Sequence, residues 1–125
     1  MCCYRSSIYE KELLDLLQQN PITAWKIIGW SNRPLLGDTR FIYTEGWNEA
    51  RDTNNQRLTR ESYPEYDAHN PLGFHVYLQR RATCYSDQCI EVLCHLEDFI
   101  CSDRYEAVFR RINIVSPLKK QLYHV

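Results

Sequence analysis

Residues 89–96 read CIEVLCHL, with Ile90, Val92, Cys94 and Leu96 alternating against Glu91, Leu93 and His95. A period of two sends successive side chains to opposite faces of an extended chain, so the stretch predicts a strand with one well-buried face. Similar patterns flank it. TAWKIIGW predicts a strand around 23–30, with Trp25 and Ile27 on one side and Lys26 on the other. RFIYTE at 40–45 puts Phe41 and Tyr43 on one face, and LGFHVYL at 72–78 pairs Phe74 with Val76 against His75 with Tyr77. YEAVFRRINIV at 105–115 closes the series as one long strand in which Val108, Ile112 and Ile114 share a side with Arg110.

One helix precedes the strands. In SSIYEKELLDLLQQNP, Ser7 and Glu10 form a capping box and Tyr9, Leu13, Leu16 and Leu17 fall on one face, predicting a helix over about 7–19 that Asn20-Pro21 ends. SNRPLLGD is turn chemistry, EDFICSDR reads as an extension and turn, and Arg80 to Tyr85 as a short helix or turn. The expected fold is a single α+β domain over 1–125. It has a mostly antiparallel sheet of about five strands backed by the N-terminal helix, with a long polar loop at about 46–70.

Composition bounds the function. A chain of 125 residues with 44% apolar content, three Trp, nine Tyr and four Gly is large and apolar enough to fold without metal or disulfides. Fifteen Lys and Arg against sixteen Asp and Glu provide no basic field for phosphate backbones, so nucleic acid is not the expected partner. No apolar run reaches the ~18 residues of a membrane span, and MCCYRSSIYEKELL lacks the apolar centre of a signal peptide, so a cytoplasmic location is expected. Cys2, Cys3, Cys84, Cys89, Cys94 and Cys101 are accordingly expected as thiols. Their spacing lacks the paired two-residue gaps of zinc knuckles, and Asp67, His69 and His75 define no fixed ligand geometry, so no metal site is expected. Gly29, Gly37, Gly46 and Gly73 are isolated, which excludes a glycine-rich phosphate loop. The basic pairs Arg80-Arg81, Arg110-Arg111 and Lys119-Lys120 read as solvated faces or as surfaces for a small anion or acidic partner.

The candidate ligand-binding residues are Tyr43, Trp47, Gly73, His75 and Tyr77. His75 and Tyr77 share a strand face, where an imidazole beside a phenol can bind a phosphate, carbonyl or ribose hydroxyl. The alternative is that Phe74 and Val76 fill the core, Gly73 permits close backbone approach and His75 faces water. No catalytic constellation emerges from spacing; His75, Tyr77 and Glu106 are the candidates should a reaction be catalysed. The loop aromatics Trp47, Tyr63 and Tyr66 suggest a contact surface.

Four pieces in order, AWKII, RFIYTEGW, GFHVYL and IEVLCHLEDFI leading to EAVFRRINIV, resemble a family of small uncharacterised domains of bacterial and phage proteins. That family runs from a "yKv" strand through a Y-x-x-G turn to a GFH strand and two closing strands, and the likeness covers about 24–115. The family has no assigned reaction; small size, the aromatic loop and the absence of a catalytic constellation favour a non-catalytic binding module, of phage or bacterial type, that engages a host protein or small molecule. LGFHVYLQRRATCYSD is also similar to the segment after the first strand of ADP-ribosyltransferases. That likeness implies the alternative, a small NAD- or nucleotide-processing enzyme in which Glu106 orients a nicotinamide ribose; the histidine or arginine opening that family's NAD site has no counterpart in AWKII.

Overall fold

The computed structural model describes residues 8–34, 41–51, 56–57, 73–83 and 87–118. Readings that involve Cys2, Cys3, Ser7, Gly37, Arg40, Tyr63, Tyr66, Asp67, His69, Cys84, Tyr85, Lys119 and Lys120 lie outside the described residues. The elements run α1 (Ile8–Gln19), β1 (Ile22–Ile28), β2 (Gly46–Glu49), β3 (Phe74–Tyr77), β4 (Gln88–Cys94), β5 (Phe99–Ser102), β6 (Glu106–Phe109) and β7 (Arg111–Ile114). The α+β class is as expected, but among the described residues the sheet has seven strands rather than about five. All pairings are antiparallel, in the order β2-β7-β4-β1-β3-β6-β5.

The connectivity dictates the shape of this sheet. Only Arg110 separates β6 from β7, yet β3, β1 and β4 stand between them in strand order. Four spacings in a flat sheet would span about 19 Å. The chain from Phe109 to Arg111 reaches about 7 Å at most. The sheet is therefore rolled until β6 runs into β7, as in a barrel. The inward residues follow: Ala24 and Ile28, Phe74 and Val76, Ile90, Val92 and Cys94, Ala107 and Phe109, and Ile112 and Ile114 all belong to one buried cluster, with Leu13 and Leu17 of α1.

The single closing strand expected at 105–115 is thus two strands. Inward positions are odd in β6, at 107 and 109, and even in β7, at 112 and 114. A straight strand cannot change phase, so the chain bends at Arg110 and shifts every later side chain to the other parity. Val108 and Arg110 consequently do not share the side of Ile112 and Ile114 as expected.

Other boundaries moved for local reasons. Residues 41–44 form no strand, contrary to the reading of RFIYTE. The Asn48 side chain accepts from the Thr44 amide at 3.0 Å and donates to the Thr44 and Gly46 carbonyls at 2.8 and 3.1 Å, closing a turn in place of a ladder. β2 begins at Gly46, so the first four residues of the expected 46–70 loop are sheet. An isolated bridge joins Arg51 to Arg57 just beyond it. Left-handed Ser31 (φ 61°) and Asn32 (φ 57°) turn the chain soon after β1 ends at Ile28. Residues 80–83 carry no helix. EDFICSDR contains β5, whose four residues are all buried; cover on both faces removes the alternation by which a strand is read. On α1 the buried positions are Glu10, Leu13 and Leu17, while Tyr9 and Leu16, expected on that face, are exposed. No helix among the described residues is long and apolar enough to cross a membrane.

Candidate functional site

Residue alternation in β3 sends Phe74 and Val76 into the core and leaves His75 and Tyr77 half-buried on the opposite face. Register then selects the neighbours of Tyr77. It pairs with Trp25 of β1 on one side and Glu106 of β6 on the other. The phenol hydrogen-bonds the Glu106 carboxylate, and burial first, then the Glu106 charge, raise its pKa, opposed by the nearby Arg81 guanidinium.

Beyond Tyr77 the rings and guanidiniums alternate. Arg81 lies 5.1 Å from the Tyr77 ring centroid and 6.0 Å from that of Tyr105; Arg104 lies 5.3 Å from Tyr105 and 5.9 Å from Tyr9. Tyr9 and Tyr105 are exposed large side chains, at 42% and 53%. The turn bearing Tyr105 is held firmly. The Asp103 carboxylate accepts from the Tyr105 and Glu106 amides, both at 2.8 Å, and the Leu78 amide donates to the Tyr105 carbonyl at 2.9 Å. Beside the strip an open cleft of about 620 Å³ lies between the segment after β3 and the start of β4, with Arg80, Arg81, Thr83, Asp87 and Cys89 on its walls.

Lys26 was missed as part of this neighbourhood. It lies between the inward-facing Ala24 and Ile28, and its ammonium donates to the His75 carbonyl at 2.8 Å, 5.9 Å from the Tyr43 ring. The β1–β3 ladder pairs Trp25 with Tyr77, and Lys26 reaches the carbonyl where that pairing ends. Burial pulls its pKa to about 8, against an opposing pull from Glu106. The spacing Ala24, Lys26, Ile28 carries the signal for an inward Lys26, but Trp25 and Ile27 offer a competing apolar phase that is larger.

The remaining candidates lie apart. Tyr43 is buried in the core against Phe41 and Phe74, with ring centroids 5.0 and 5.7 Å away, and burial pushes its phenol pKa upward. The sheet separates it from His75 and Tyr77. Gly73, at φ +125°, allows a close approach: a Cβ there would lie 2.8 Å from Val108 Cγ1 and 3.1 Å from the Phe109 carbonyl oxygen. Trp47 stands on β2 at one edge of the sheet, 48% exposed, under the Arg111 guanidinium at 4.6 Å and 5.2 Å from the His95 ring. Fully buried Asp98 anchors that group, its Oδ1 accepting from Arg110 Nη2 at 3.0 Å and Arg111 Nε at 2.9 Å. Thus the structure brings Tyr77 and Glu106 together, sets His75 on the same face, and places Tyr43 and Trp47 elsewhere.

Among the described residues no three His, Cys, Asp or Glu side chains gather as metal ligands. Cys94 and Cys101 are buried thiols and Cys89 is half-buried; burial and the Asp98 charge push the Cys94 thiol pKa upward. Compared with known proteins, the chain matches no family model, no curated protein and no solved structure.

Proposed function

We propose that the chain is a non-catalytic binding module, of the phage and bacterial kind its motifs resemble, that engages its ligand through the strip Tyr77, Arg81, Tyr105, Arg104 and Tyr9. The observation that carries this reading is the interleaving of tyrosine rings and guanidiniums on a rigid turn. Tyr and Arg dominate binding energy at interfaces because each combines a broad apolar face with directed donors. Stacking in advance also lowers the entropy lost on association. The test is affinity capture with the full chain and with Tyr105→Ala and Arg104→Ala, each checked for folding by circular dichroism. A ligand bound by the wild type and held about tenfold or more weakly by both variants supports the reading. Equal retention by all three chains refutes it.

A second reading, an NAD- or nucleotide-processing enzyme with an ADP-ribosyltransferase-like site, rests on the Tyr77 to Glu106 hydrogen bond. It requires NAD turnover by the wild type that Glu106→Gln abolishes and Tyr105→Ala leaves intact.

A further inference from the structure

The cleft beside the Tyr and Arg strip has an electrostatic character that differs from that of the chain as a whole. Among the described residues its walls carry Arg80 and Arg81 against the single acid Asp87, whereas the whole chain has a formal charge of −1. Three other guanidiniums are engaged by carboxylates: Arg51 pairs with Glu49 at 3.3 Å, and Arg110 and Arg111 share Asp98. Among the described residues no carboxylate lies within ion-pair distance of Arg80 or Arg81. Two guanidiniums at one concave surface, with no carboxylate partner among the described residues, attract an anion.

Their presentation suits an oxyanion. The Arg81 guanidinium lies 5.1 and 6.0 Å from the centroids of the Tyr77 and Tyr105 rings. A guanidinium held beside aromatic rings keeps in-plane N–H donors that can grip two oxygens of one anion. Thr83, on the same wall, adds a hydroxyl that can donate to a third oxygen. Two positive charges match a phosphate monoester, which carries about −1.5 to −2 at neutral pH, better than a carboxylate with a single charge.

We infer that the cleft binds a phosphate monoester group of the ligand, with Arg80 and Arg81 as its charged donors and Thr83 as a neutral one. The inference rests on the binding-module reading, since it names the chemistry at one end of the same surface. Terminal phosphates of small molecules and phosphorylated side chains offer the same group.

The test is titration of the ¹⁵N-labelled full chain with inorganic phosphate, with sodium acetate and sodium chloride at matched ionic strength as controls. Phosphate is expected to shift the Arg80 and Arg81 Nε–H signals and the Thr83 amide saturably, while acetate and chloride do not. Arg80→Ala and Arg81→Ala, both at exposed positions, are each expected to weaken phosphate binding at least fivefold, and Lys11→Ala on α1 to leave it unchanged. A response that chloride reproduces, or an affinity that survives the double substitution of both arginines, overturns the assignment. O-phosphotyrosine and adenosine monophosphate then separate the two sources of the group by which binds more tightly. The two levels fail separately. Loss of captured ligand in Tyr105→Ala without phosphate binding sinks only the phosphate assignment; phosphate binding with ligand capture indifferent to Tyr105→Ala sinks the strip.

Discussion

Gly73 holds its backbone at φ +125°, a conformation nearly closed to residues with a Cβ, and faces Val108 Cγ1 at 2.8 Å from where that Cβ would stand. Gly73→Ala therefore combines backbone strain with overpacking, and urea unfolding should show a loss of about 2–4 kcal/mol. Gly46, at φ +88° with open space around it, isolates the strain alone, so Gly46→Ala should cost less. Close backbone approach is one of the two readings the sequence offers for Gly73, the other being a ligand contact. Lys26 is the converse case. Its ammonium is buried and hydrogen-bonded to the His75 carbonyl, with a pKa of about 8 against an ordinary 10.5. Between those values the unfolded chain binds more protons than the folded one, so stability rises with pH across this window; below about 8 the penalty of burying the charge is complete. The stability difference between wild type and Lys26→Met should therefore rise from pH 8 to 10.5. The Lys26 side chain as a whole is half-buried, and screening along it limits that rise to the order of 2 kcal/mol. A pH-independent difference would show that Lys26 titrates as in water.

Elements reveal how much of a pattern survives packing. On α1 the sequence places Leu16 and Leu17 together on the apolar face, but only Leu17 is buried, at 4% exposure, while Leu16 is 57% exposed. Leu17→Ala should cost about 2–4 kcal/mol through lost contacts and a cavity. Leu16→Ala should stay within about 0.5 kcal/mol, both read from denaturant midpoints. β4 was the most legible element. It pairs with β1 through seven consecutive residues, and positions 90, 92 and 94 are inward as the alternation predicts, whereas Leu96, the fourth residue of that phase, lies beyond the end of the strand and is exposed. β5 and β6 were the least legible, since cover on both faces or a bend between strands erases the period that a sequence displays.

At the scale of the whole molecule, closure of the rolled sheet depends on the bend at Arg110, and Asp98 is its clamp. The Asp98 carbonyl accepts the Arg110 amide at 2.8 Å, its carboxylate binds both arginines, and the Arg110 carbonyl accepts the Ala50 amide at 2.8 Å. Asp98→Ala leaves Arg110 buried without its counter-charge, a change that typically costs about 3–5 kcal/mol. It should also release Arg111 from over Trp47, so a lowered unfolding midpoint accompanied by altered tryptophan fluorescence is the expected result. A loss below about 1 kcal/mol would mean the closure does not rest on this clamp. The candidate site shows the same division between local pattern and closure. That His75 and Tyr77 share a face follows from strand periodicity alone. That Glu106 lies beside Tyr77, and that Arg81 and Arg104 interleave with Tyr77, Tyr105 and Tyr9, depends on which strands become neighbours. By itself the sequence determined the α+β class, the N-terminal helix, the strands at β1, β3 and β4 and the inward side of β3 and β4, because these are local consequences of side-chain period and turn chemistry. Only the tertiary structure decided the seven-strand order, the bend at Arg110, the inward Lys26 and the separation of Tyr43 and Trp47 from Tyr77, because each depends on pairings between residues distant in the chain that no local period encodes.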